Sequence, residues 1–236
     1  PLGIYARKSF FKYVDADNIF KVTKEGFAYF EKTFGLAYPF GKYDQLAVAE
    51  YNWGAMENVG CVTFHEDVLI FRSKVTESKH LGRASTILHE MAHMWFGDLV
   101  TMKWWEDLWL NESFAEWASY MATSEATQYT TAWTEFNALR KNWAYRQDQL
   151  STTHPIATEM KDLEDVKTNF DGISYAKGAS VLQQLVEHVG RENFIKGLRI
   201  YFTKHAFKNT TLNDLMVELE ATSGRDLKPW AARWLQ

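Results

Sequence analysis

The pentapeptide His89-Glu90-Met91-Ala92-His93 constrains this chain more than any other feature of its sequence. Two imidazoles four residues apart fall on one face of an α-helix, one turn apart, close enough to share a metal ion. The flanking residues read as that helix. From Ser78 onward, Leu81, Ala84, Leu88, Met91 and Trp95 recur every three or four positions, and Gly97 supplies a stop. A second line at the same period, Thr86, His89, His93 and Phe96, lets the histidines face a cleft while the first line packs. With 7 His in 236 residues, the pattern arises by chance only about 0.02 times in a chain of this composition. An isolated histidine pair is as readily satisfied by its neighbours, so the reading depends on further ligands.

A catalytic zinc ion keeps three protein ligands and one open position for water. Glu112 opens the next strongly periodic helix, whose packing line is Leu110, Phe114, Trp117 and Met121, and it lies off that line. It is the expected third ligand, although a first-turn Glu on its own would reflect only the helix dipole. Glu90 follows the first ligand directly, where its carboxylate can take a proton from water without ligating, so it is the expected general base. Asn111 and Glu116 offer oxygens to the second ring nitrogens of the imidazoles. The ligand set calls for one Zn²⁺ ion, with cobalt or manganese able to occupy similar sites. His65-Glu66-Asp67 has Leu69 where a second histidine would stand and is assigned no metal.

A composition of 46% hydrophobic and 16% aromatic residues, with 10 Trp, gives this chain a bulky core and excludes a disordered one. A net charge of -4 with scattered Lys and Arg speaks against nucleic acid as a partner, and no apolar run reaches membrane-spanning length. The lone cysteine, Cys61, forms no internal disulfide. It fits a reducing compartment or simply a fold that needs no staple, the first giving a cytoplasmic expectation, and it reads as a packing residue. The chain opens at Pro1 without an initiator Met, which reads as a segment of a longer protein.

The early half reads as mixed: a helix over Val22 to Phe34, then strands at Tyr43 to Ala49 and Cys61 to Phe64 joined by a Gly-containing connection. After the two helices above, helical spacing returns near Thr130 to Tyr145, Ser174 to Val189, Glu192 to Lys204, Thr211 to Ala221 and Leu227 to Leu235. The polar stretch Arg146 to Lys161, with Pro155, reads as a surface connection. The expectation is an α+β fold forming one domain over 1–236. A mixed lobe at 1–77 and a mainly helical lobe at 78–236 would enclose the metal cleft.

Gly54-Ala55-Met56-Glu57-Asn58, then His89-Glu90-x-x-His93, then Glu112 after eighteen intervening residues, together resemble the M1 family of zinc aminopeptidases, gluzincins of the aminopeptidase N type. The resemblance extends from Gly3-Ile4-Tyr5 through Trp104-Trp105 to Ile173-Ser174-Tyr175-Ala176-Lys177-Gly178-Ala179. It implies a thermolysin-like zincin catalytic domain acting on peptides with a free N-terminus. By resemblance, Glu57 binds the substrate α-amine, Gly54 and Ala55 present backbone groups, Met56 lines the first side-chain pocket, and Tyr175 donates to the oxyanion. A carboxylate that pairs with an ammonium makes a blocked N-terminus a poor substrate, and a phenol stabilises developing negative charge. Family members carry a β-rich domain before this region and a helical one after it, against which this part would pack. The preceding domain adds a further acidic residue to amine binding, and Ser113 stands where many relatives have Gly. The rival readings are a thermolysin-like endopeptidase, a catalytically silent zinc- or peptide-binding module, and more remotely an epoxide-hydrolysing relative.

Overall fold

The computed structural model describes all 236 residues. Four strands form a sheet in the order β1-β2-β4-β3: β1 (Leu2–Tyr5), β2 (Tyr43–Val48) and β4 (Cys61–His65) run parallel, and β3 (Ala55–Met56) pairs antiparallel with β4. β1 and β3 are too short to show a period, and β3 lies inside the expected Gly-containing connection. Cys61, expected to pack, is exposed. It starts β4, where Val62 and Phe64 take the inner face, so the alternation turns Cys61 outward.

Helix α1 (Ala16–Phe34) starts earlier than Val22 because the Asp15 side chain caps it, accepting from the Asn18 N–H. A short α2 (Glu66–Leu69) precedes α3 (Glu77–His93), which carries the histidine motif. Gly26 lets α1 seat directly on α3: a Cβ there would lie 2.3 Å from Leu88 Cδ2 and 2.9 Å from Met91 Sδ. α3 ends at His93, so Trp95 and Phe96 lie beyond it. Trp95 is buried among Phe27, Phe30, Phe34 and Tyr38. Phe96 leaves the histidine line to stack on Phe114, with ring centroids 4.4 Å apart.

α4 (Leu108–Ala126) runs through the centre and is buried on nearly all sides from Trp109 to Thr123. Next come α5 (Ala132–Glu135), a π-helical turn (Phe136–Arg140), α6 (Lys141–Asp148), α7 (Leu163–Thr168), a second π-helical turn (Ile173–Lys177) and α8 (Gly178–Val189). α9 (Arg191–His205), α10 (Leu212–Ser223) and α11 (Lys228–Trp234) complete the helices. The later half also holds two strands the helical spacing does not show: β5 (Val100–Met102) pairs parallel with β6 (Lys208–Thr210).

The expected surface connection Arg146 to Lys161 is in part structural. α6 reaches Asp148, Ile156 and Met160 are buried, and the Ala157 N–H donates to the Leu235 carbonyl. Ile156 anchors the stretch in the core, and the Met160 carbonyl accepts from Trp104 Nε1 at 2.9 Å. That core is continuous from Phe10 to Leu235 and joins both halves: Phe34 of α1 packs on Phe114 and Phe202. No helix is long and apolar enough to cross a membrane.

Candidate metal centre and its cleft

The packing of α3 on α4 brings three side chains to one point. His89 Nε2 and His93 Nε2 are 3.1 Å apart, and each is 3.3 Å from Glu112 Oε2. All three residues are buried. Glu112 sits in the second turn of α4 rather than its first, because the helix starts at Leu108. The dipole of a first turn therefore does not explain it. Tetrahedral zinc with bonds of about 2.0–2.1 Å separates its ligand atoms by about 3.3 Å. The sides of this triangle match one ion of that size, and two imidazoles with one carboxylate form a donor set found in catalytic zinc sites.

The outer nitrogens are held differently. His93 Nδ1 donates to the Phe96 carbonyl at 3.1 Å, fixing the tautomer whose Nε2 lone pair faces the triangle. His89 Nδ1 stands 3.4 Å from Glu116 Oε2, and Glu116 Oε1 accepts from Arg140 Nε. Asn111 lines the cleft but bonds neither imidazole, and its buried Oδ1 has no hydrogen-bond partner.

Burial opposes charge on both imidazoles, yet the carboxylates prevail. Glu112 and Glu116 hold His89 up at about 9, and Glu57 and Glu112 keep His93 well above its ordinary value. Burial likewise pushes Glu112 and Glu116 upward, but His93 beside the one and Arg140 beside the other leave both low, Glu116 at about 2. Glu90 goes the other way: burial raises it to about 8, and the two histidines offset this only in part. Burial, then Glu112, keeps the Tyr175 phenol well above its usual range, so it stays a neutral donor.

The triangle opens on a cleft of about 710 Å³. Gly54, Ala55, Met56 and Glu57 form one wall, along the edge strand β3 and the residue on either side of it. Glu57 Oε1 lies 4.0 Å from His93 Nδ1. Asn58 is not part of that wall; its amide donates to Thr63 Oγ1 at 3.0 Å and braces the turn from β3 into β4. On the other side, Tyr175 stacks on His89 with centroids 5.9 Å apart and planes 15° apart. His65 and Glu66 have structural partners instead: His65 caps α2, and Glu66 pairs with Arg7.

Two groups escape sequence reasoning. The Phe96 carbonyl is backbone and has no residue signature. Arg140 reaches Glu116 from 24 positions away, and no local spacing links them.

A model of the peptidase family M1 domain matches residues 19–234. The chain is 59% identical to aminopeptidase N of Streptomyces lividans over its whole length, covering 28% of that protein. It is 38% identical to leucyl aminopeptidase of Saccharolobus solfataricus, over 91% of this chain and 27% of the relative. Tricorn protease-interacting factor F2 of Thermoplasma acidophilum is also 38% identical, over 92% and 28%. The chain thus spans about a quarter of the length of the relatives it matches. With the matched model covering nearly all of these residues, the chain belongs to peptidase family M1.

Proposed function

We propose that this chain is the catalytic part of a zinc-dependent aminopeptidase, releasing single amino acids from the free N-terminus of peptides. The observation that carries the reading is one cleft that joins the His89, His93 and Glu112 triangle to the carboxylate of Glu57. A hydrolytic centre and an acceptor for an ammonium group are then about one residue of peptide apart. The names of the relatives, aminopeptidase N and leucyl aminopeptidase, support it. Their greater length supports further domains packed against this one, with residues 1–236 acting as one catalytic unit.

His89, His93 and Glu112 would hold the zinc ion, which when bound supplies Lewis acidity that polarises the scissile carbonyl and acidifies a water. Glu90 accepts the proton of that water and returns it to the leaving amine. Tyr175 donates to the oxyanion that forms on the substrate carbonyl. Glu57 pairs with the α-ammonium, and the unpaired outer edge of β3 at Ala55, next to Gly54, receives the peptide as an added strand. Met56, half exposed beside Glu57, lines the pocket for the first side chain.

The test is one peptide in free and N-acetylated forms, incubated with the zinc-loaded protein and read by mass spectrometry. Stepwise trimming of the free form alone is expected. Internal cuts in both forms would replace this reading with that of an endopeptidase.

A further inference from the structure

The cleft-lining residues include a single Lys or Arg, Arg140, the last residue of the π-helical turn Phe136–Arg140. A π turn holds more residues than an α turn, so it changes the face on which the following side chains emerge. The guanidinium meets two partners. Its Nε donates to Glu116 Oε1 at 2.5 Å, and its carbon lies 4.7 Å over the Trp143 ring. Glu116 Oε2 stands 3.4 Å from His89 Nδ1. Trp143 packs on Tyr175 with centroids 6.1 Å apart, and Tyr175 stacks on His89. Arg140, Glu116, His89, Tyr175 and Trp143 therefore form a closed ring of contacts.

We infer that Arg140 is a positioning residue for both sides of the centre. It holds Glu116 against His89 Nδ1, and through Trp143 it keeps the Tyr175 ring beside that same imidazole. Without a partner, a buried carboxylate is poorly placed to fix an imidazole, because nothing sets its rotation. Lysine offers a point charge but no plane, so it can restore the contact to Glu116 and not the stack on Trp143. The inference rests on the proposed roles of His89 and Tyr175.

The experiment uses the whole protein and measures zinc affinity by chelator competition, the visible spectrum of the cobalt-substituted form, and kcat at saturating zinc. In Arg140→Met the zinc dissociation constant should rise about 10–100-fold, the usual effect of losing an outer partner of a metal ligand. The cobalt bands should shift. Glu116→Gln should weaken zinc similarly, and the double variant should be no weaker than the weaker single, since both break one chain of contacts. Arg140→Lys should recover zinc affinity while kcat stays low at unchanged KM. Circular dichroism of the metal-free variants monitors folding; if Arg140→Met does not fold, Arg140→Lys and Glu116→Gln carry the test. Parental zinc affinity and cobalt bands in Arg140→Met, or independent effects of Arg140→Met and Glu116→Gln, would overturn the inference. A parent that binds no zinc would instead overturn the proposed function.

Discussion

Gly178 begins α8 three residues after Tyr175, and it faces Ser113, the neighbour of Glu112 on α4. A Cβ at position 178 would lie 1.9 Å from Ser113 Oγ and 3.0 Å from Ser113 Cβ. In Gly178→Ala the hydroxyl must swing away, which breaks its 2.6 Å hydrogen bond to the Ser174 carbonyl. Losing a buried hydrogen bond costs about 1–3 kcal/mol, and the remaining overlap of the two Cβ atoms adds about 1–3 kcal/mol of overpacking. The backbone at Gly178 is right-handed helical, with φ −60°. Alanine therefore returns about 0.4–1 kcal/mol through the unfolded chain. The balance is a loss of about 3 kcal/mol, or roughly 6–12 °C in Tm for a chain of this size.

Thermal unfolding followed by circular dichroism measures this in four proteins: parent, Gly178→Ala, Ser113→Gly and the double variant. Ser113→Gly removes both atoms the new methyl would strike, so the alanine should be neutral or mildly stabilising in that background. The other close atom, Ile156 Cγ2, is at an ordinary 3.6 Å. A Gly178→Ala melting point within about 2 °C of the parent, or the same loss in both backgrounds, would refute the reasoning.

Glu90→Gln should retain zinc and lose turnover by orders of magnitude; near-parental kcat would remove Glu90 from proton transfer. Tyr175→Phe should lower kcat more than it raises KM, and an unchanged kcat would argue against an oxyanion donor. His154 donates to Asp171 at 2.9 Å, and Asp171 caps the π turn that carries Tyr175. Asp171 raises the imidazole above its ordinary value, so its contribution to stability is complete below about pH 6.5 and is lost as pH rises through the raised value. His154→Gln should flatten that part of the Tm-against-pH curve, and an unaltered curve would show that the pair stores no stability.

The candidate metal centre was legible because its parts carry strong periods. One helical turn separates His89 from His93, the packing stripe of α3 sets their face, and Glu112 breaks the stripe of α4. The rest depends on groups without such patterns. β5 and β6 are three residues each and pair across more than a hundred positions, so neither shows alternation. The two π turns read as ordinary helix, since one added residue blurs a period of three to four without erasing it. Ile156 and Met160 are two apolar residues among polar ones, too few to mark a buried segment. The loss of Phe96 from the histidine face follows from a helix end at His93 that Gly97 only approximates.

The charges of the cleft explain why its one fixed cation stands where it does. Glu57, Glu90, Glu112 and Glu116 converge on two imidazoles and one guanidinium. Surplus negative charge in a buried setting draws protons wherever a base can hold them, and the upward shifts at His89 and His93 express that surplus, whereas burial itself raises Glu90. Metal ligands bind as neutral imidazole and carboxylate, so uptake of a divalent ion exchanges those protons for the ion. A guanidinium at the triangle would compete in that exchange. Arg140 sits one carboxylate further out, where it compensates Glu116 without occupying the ligand positions. Glu57 stands on the other wall of the cleft, where the proposed function has it pair with a peptide ammonium.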